Sequence, residues 1–332
     1  MGKKISRRTV IQSSSALGLT AMWPFGVRAE ISGLPRSEYG FATTAEEVVA
    51  GIDLSGKTVL VTGCNSGLGY ESMRVMAARG AHVIGTARTT VKAEKACASV
   101  TGQTTPLVCE LTDFDNIVAC SEQVQALNLP IDIFMCNAGI MALPKLEQVN
   151  GIEKQFLVNH LGHYLLTRRL LPQVEAASAG RIVVLSSIGY RNAPKVGIQF
   201  DNLSGADDYS PFRSYGQSKL ANALFSRELA RRYADTRVTS NTLHPGYVAT
   251  NLGRHVTGKL HDPSEPLRKG FKTADQGAAT QVYLATDARL TGVSGHYFED
   301  CNPVEPDGPH MHDDALALKL WQVSEELTAA YL

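Results

Sequence analysis

The chain has 332 residues, 44% of them hydrophobic, enough to bury one large core or two small ones. Its 32 Lys and Arg balance 32 Asp and Glu, which argues against a nucleic-acid binder that tracks phosphates and favours a small-molecule partner. The six cysteines, at 64, 97, 109, 120, 136 and 301, show neither a CxxC pair nor metal-finger spacing. They read as buried thiols, with no disulfide framework and no metal site.

Residues 1–30 read as a targeting segment to be left out of the fold. SRRTVIQ at 6–12, a mildly apolar stretch over 13–25 and the small-residue site Val27-Arg28-Ala29 resemble a twin-arginine export signal spanning 1–29. The apolar stretch is too short for a stable membrane span. Export to the periplasm is the expectation, and a basic leader on a cytoplasmic enzyme the alternative. Residues 30–56 form an N-terminal extension.

From residue 57 apolar β-rich runs alternate with helical patterns, the mark of an α/β protein with a parallel sheet. Strands are expected at 58–62, 82–87, 106–109, 131–135, 181–186, 237–243 and 295–298. Helices are expected near 67–79, 113–127, 147–171, 213–233 and 274–286. The domain over 57–303 is thus a single Rossmann-type doubly wound sheet of about seven strands with helices on both faces. A C-terminal extension, 304–332, ends in a helix. In such sheets ligands gather beyond the carboxyl ends of the strands, at the switch point.

The first strand runs into TGCNSGLG at 62–69. Gly63, Gly67 and Gly69 give the turn room and let backbone approach a pyrophosphate, while Asn65, Ser66 and Leu68 lead into a helix whose N-terminal N–H groups and dipole favour negative charge. HVIGTAR ends the second strand on Arg88 with no acid beside it, so NADP(H) is preferred and NAD(H) is the alternative, since an acid would bind the ribose 2′-hydroxyl and an arginine a 2′-phosphate. Glu110 and Leu111 follow the third strand. The fourth runs into CNAGIM at 136–141, where Asn137, Ala138 and Gly139 keep the strand end open.

Tyr215 and Lys219, in SYGQSK, are four apart and share one helix face. A tyrosine with pKa near ~10 is a poor base at neutral pH, and a neighbouring ammonium is expected to bring it toward the working range. Ser187, in VVLSSIG, is placed to hydrogen-bond a substrate oxygen as charge develops. PHMHDD at 309–314 reads as a solvated turn rather than a metal site, and His160 and His163 as packing or surface residues.

Together these motifs resemble the classical short-chain dehydrogenase/reductase family over 57 to about 301, whose glycine pattern is TGxxxGxG. FLVNHLGHYLLT at 156–167, SKLANALFSRELARR at 218–232, HPGYVATNL at 244–252 and YFEDCNP at 297–303 are similar to its retinol-dehydrogenase-like branch. The resemblance implies a catalytic tetrad of Asn159, Ser187, Tyr215 and Lys219, with Asn159 anchoring a water-linked proton path to Lys219. It puts Glu110 where the family has an aspartate on adenine. It sets Pro245 and Gly246 against the nicotinamide amide, with Val248 and Thr250 nearby and Thr250 close to the phosphates. It implies a small carbonyl or alcohol substrate, lipophilic ones included, lined by 141–145, 188–213 and 251–272. It also implies a homodimer or homotetramer on the helices at 147–171 and 213–233, although monomers occur in this branch. Two other classes stay open. One is an idle dinucleotide-binding regulator; the other is an epimerase or dehydratase with retained NAD(P), whose relatives carry TGxxGxxG.

Overall fold

The computed structural model describes residue 31 and residues 33–256 and 267–332. The expected export signal at 1–29 and part of the expected substrate lining, 257–266, lie outside them.

After a short helix α1 (Ala45–Val48), the elements alternate as β1 (Thr58–Thr62), α2 (Gly67–Ala78), β2 (His82–Ala87), α3 (Thr90–Ala98), β3 (Gln103–Val108), α4 (Phe114–Ala126) and β4 (Ile133–Cys136). The second half brings α5 (Gly162–Glu175), β5 (Arg181–Leu185), α6 (Pro211–Arg232), β6 (Thr239–His244), α7 (Ala274–Thr286), β7 (Tyr297–Glu299), β8 (Asn302–Pro303) and α8 (Asp314–Thr328). The main sheet has eight strands in the order β8-β7-β6-β5-β4-β1-β2-β3. All neighbours are parallel except β7 and β8. The order reverses between β1 and β4, which makes their carboxyl ends the switch point.

Strand residues alternate between two cores, as a pleated sheet buried on both faces requires. Leu60, Phe134, Ile182 and Val184 point to the side of α4, α5, α6 and α8. Val59, Val61, Ile133, Met135 and Val183 point to the side of α1, α2 and α7.

The first two strands have the expected bounds. Pro106 is tolerated inside β3 because that strand is the sheet edge, where a missing N–H costs no internal bond. Helix α3 and the two-residue β8 were not anticipated; Thr89 caps α3, accepting from Lys92 N. The single helix expected over 147–171 is a hairpin followed by a helix. A hairpin pairs Gln148–Val149 with Ile152–Glu153, a helical turn follows at Lys154–Phe156, and a π turn at Leu157–Leu161 leads into α5. Asn150 and Gly151, both at positive φ, make the hairpin turn, and Glu153 starts the helix by accepting from Phe156 N.

Both extensions belong to the same body. Ser37 N donates to Asn302 Oδ1 and Asn302 Nδ2 to Tyr39 O, while Ala45, Val48 and Val49 are buried in the α2 and α7 core. At the other end α8 lies on α5 and α6. Trp321 stacks on Phe225 at 6.0 Å and meets Tyr164 edge-on at 5.1 Å, and His160 Nε2 lies 2.9 Å from Ser324 Oγ. The long helices expected to carry subunit contacts are therefore covered on this face by the chain's own C-terminal helix. Among the described residues no helix is long and apolar enough to cross a membrane.

Candidate active site

The glycine-rich loop sits at the switch point because β1 ends at Thr62 and α2 begins at Gly67. Gly63 has φ +69°, and a Cβ there would stand 3.0 Å from Ala138 Cβ. A Cβ on Gly69 would collide with Gly63 O and Asn137 Nδ2. These two positions let the loops after β1 and β4 touch. Ser66 is the N-cap of α2 but makes no side-chain cap bond, so the first N–H groups of α2 have no side-chain acceptor there. Asn65 and Ser66 are exposed, Gly67 and Leu68 partly so. Asn137 turns inward, donating from Nδ2 to Thr62 O at 2.7 Å and accepting from Gln281 Nε2 at 3.3 Å. Its amide braces two strand ends.

Arg88 follows β2, is exposed, and has no ion-pair partner among the described residues. Glu110 folds back on its own loop: its Oε1 accepts from Thr112 N at 3.2 Å and Oγ1 at 3.0 Å. Leu111 is buried, with its carbonyl pressed toward Gly162.

The tetrad residues converge on one spot. Pro211 opens α6 at its first turn, where a missing N–H costs nothing, and Tyr215 and Lys219 then stand one turn apart, both buried. Lys219 Nζ lies 5.7 Å from the Tyr215 ring centre and donates to Leu185 O at 2.9 Å. Ser187 follows β5; its Oγ accepts from Gly189 N at 3.0 Å, and both it and the Tyr215 ring lie against Gly189. Asn159 lies in the π turn. Its Oδ1 accepts from Ile140 N at 2.8 Å, and its Nδ2 donates to Ile140 O and Ser218 Oγ, each at 2.9 Å. Asn159 thereby ties the loop after β4 to α6. Gly139 completes the convergence, since a Cβ there would lie 3.2 Å from Asn159 Oδ1 and 3.7 Å from Lys219 Nζ.

Burial raises the Tyr215 phenol to about 12, with the Ser187 hydrogen bond opposing it. Burial lowers Lys219 to about 7. The expectation that the ammonium depresses the phenol is not met within the protein alone. Desolvation penalises both charged forms, so the phenol keeps its proton at neutral pH while Lys219 gives up its proton more readily than a free lysine.

The loop after β6 carries Pro245 and Gly246. Gly246 has φ +93°, with the alkyl chain of Lys272 against it. Val248 seats against Gly277 of α7, and Thr250 lies beside Gly67 while its Oγ1 accepts from Leu252 N at 3.3 Å. Lys272, whose side chain is 1% exposed, pairs with Asp300 at 2.6 Å beneath this loop. No pattern in the sequence pointed to Lys272, whereas the Asn159 to His163 spacing of one helical turn was available as a signal. His160 and His163 are both fully inside, which corrects the surface alternative for each.

In the 309–314 turn, His312 pairs with Glu305 at 2.8 Å, His310 Nε2 meets Lys195 O at 2.9 Å, Asp313 caps α8 and Asp314 pairs with Arg227. No group of three metal-ligating side chains occurs among the described residues.

Residues 57–260 match the family described as short chain dehydrogenase. The chain is 40% identical over 305 residues to the short-chain dehydrogenase TIC 32 B, chloroplastic, of Brassica napus, covering 88% of this chain and 95% of that one. It is 39% identical over 297 residues to human retinol dehydrogenase 14, covering 82% and 86%. Among solved structures, an uncharacterized protein from Mycobacterium paratuberculosis superposes with a TM-score of 0.69 at 32% identity, covering 87% of this chain and 98% of that one.

Proposed function

The chain belongs to the short chain dehydrogenase family and is an NAD(P)-dependent oxidoreductase, and from that premise we propose that it moves hydride between NADP(H) and a carbonyl or alcohol, with Tyr215 as general acid and base. The observation that carries the reading is the convergence of Tyr215, Ser187, Lys219 and Asn159 beside Gly139 at the switch point. The residues present fit a dinucleotide. The Ser66 side chain does not cap the first N–H groups of α2, the glycine loop packs closely against Ala138 and Asn137, and the exposed Arg88 follows β2. Gly63, Asn65, Ser66, Gly67, Leu68 and Gly69 would hold the pyrophosphate with Thr250 beside Gly67, Arg88 the 2′-phosphate, and Pro245 to Val248 the nicotinamide side.

When bound, the nicotinamide supplies or accepts the hydride and, oxidised, adds a positive charge. In the reducing direction the Ser187 hydroxyl donates a hydrogen bond to the carbonyl oxygen, and Tyr215 gives it the proton. The phenolate left behind is stabilised by the ammonium form of Lys219, which returns a proton to it. In the oxidising direction the same groups act in reverse. Similarity to retinol dehydrogenase 14 supports a lipophilic alcohol or carbonyl. We further propose export by the twin-arginine-like segment, supported by its sequence alone.

The deciding experiment follows NADPH absorbance while a panel of aldehydes and ketones, retinal among them, is added to purified protein. Consumption that Tyr215→Phe abolishes, with NADPH binding retained, is expected. Binding without consumption across the panel points to an idle regulator. Undiminished rates in Tyr215→Phe would remove Tyr215 from the chemistry.

A further inference from the structure

His163 is one turn beyond Asn159, at the start of α5 and 1% exposed. Its ring joins two places that the tetrad reading keeps separate. Nε2 lies 2.8 Å from Thr62 Oγ1, at the end of β1, and Nδ1 lies 3.1 Å from the backbone carbonyl of Asn159. Thr62 Oγ1 also accepts the N–H groups of Asn137 at 2.9 Å and Ala138 at 3.0 Å.

Counting hydrogens leaves one arrangement. Two N–H donors fill both acceptor sites of the Thr62 hydroxyl, so its own proton must go outward. Met135 O at 3.3 Å is the poorer acceptor and His163 Nε2 at 2.8 Å the better one. Nε2 is then the unprotonated nitrogen, and Nδ1–H donates to Asn159 O. An imidazolium would aim Nε2–H at a hydroxyl with no free lone pair. The groups around the ring agree: burial and the Lys219 charge push His163 down to about 4, and His160 is pushed down to about 3. The ring is neutral, in a single tautomer, over the ordinary pH range.

We propose that His163 is a positioning residue, which fixes the Asn159 carbonyl relative to the loop after β4 and so aligns the proton path of Lys219 with the nicotinamide side of the site. The proposal rests on the tetrad reading. An apolar ring would fill the same space without the cost of burying two nitrogens, but it would leave the carbonyl and the Thr62 proton without these partners. The two segments so joined carry Gly139 on one side and Asn159 on the other, which already meet around Lys219.

The test has two independent arms. In imidazole-15N-labelled wild type, spectra from pH 5 to 8 are expected to show a neutral Nδ1–H ring that disappears in His163→Ala; an Nε2–H tautomer or a charged ring overturns the proposal. In the second arm, His163→Ala and His163→Gln are assayed with NADPH and 9,10-phenanthrenequinone. Alanine should lower kcat roughly 10- to 100-fold, as a misplacement near the reacting atoms does. The Kd for NADPH should stay within about threefold and the solvent deuterium isotope effect on kcat should rise. Glutamine, which can donate and accept, should recover most of the rate. A lowered melting temperature with unchanged kcat and isotope effect would make His163 a purely structural residue. A wild type inert toward the quinone would count against the proposed function, while the tautomer still decides the link; should alanine fail to fold, the glutamine variant carries the kinetic arm.

Discussion

Lys219 shows how a single residue carries opposing demands. Its pKa falls from 10.5 to about 7 because burial penalises the ammonium. Between those values the unfolded chain holds a proton that the folded chain does not, so stability rises with pH across that window and the burial cost is fully present below about 7. Lys219→Met should therefore stabilise the protein without nucleotide by on the order of 3 kcal/mol near pH 6, and the gain should shrink toward pH 10. Leu185 O keeps a donor in the variant, since Asn222 Nδ2 also reaches it at 2.9 Å. Thermal melts across pH check this; a constant difference would remove the titration from the explanation. Arg88 poses the complementary case, an exposed cation with no ion-pair partner among the described residues. Arg88→Ala is expected to weaken NADPH by roughly ten- to hundredfold and NADH far less, the usual cost of losing a charged hydrogen bond to phosphate. Fluorescence titration with both nucleotides decides it, and equal losses would assign Arg88 to general charge steering.

Among the elements, α8 holds more side-chain interactions than its place at the chain end suggests. The Trp321 ring is buried against Phe225 and Tyr164, with the Arg232 guanidinium 4.3 Å and that of Arg168 5.1 Å from its centre. Arg168 also pairs with Glu325 at 2.6 Å. Trp321→Ala should cost about 3 to 5 kcal/mol, the range for deleting a buried aromatic, read as a lowered denaturant midpoint. A loss below about 1 kcal/mol would show that α8 is not part of the cooperative core. The α5 region makes a second point. Helical periodicity over 147–171 was legible, yet Asn150 and Gly151 broke it into a hairpin, and the π turn then set Asn159 against Ile140 and Ser218.

At the scale of the whole molecule, residues 37–49 strap onto α7 and β8, whereas the arginine-rich leader precedes that strap in the chain. The strap contacts named here, among the described residues, do not involve 1–29, so a cleaved protein is expected to keep its fold. Fractionating cells that express the native gene and an Arg7→Lys/Arg8→Lys variant should find the native protein outside the cytoplasm, shortened, and the variant inside. Nucleotide retained in the exported protein would stabilise it by mass action during passage. Native protein confined to the cytoplasm with residues 1–29 intact would end the export proposal.

Much of the site was legible from residue order because its chemistry depends on short spacings. TGCNSGLG follows a strand and opens a helix, and Tyr215 and Lys219 are one turn apart wherever that helix lies. The α/β class followed likewise from local apolar periodicity, which each strand carries in its own residues. Contacts between segments distant in sequence were decided only by tertiary structure. Lys272 meets Asp300 beneath Gly246, and His163 meets Thr62, because the sheet order brings their elements together. The direction of the Tyr215 pKa belongs to the same group. Charge neighbours can be read from spacing, but desolvation depends on everything packed around a side chain, and here burial outweighs the ammonium one turn away.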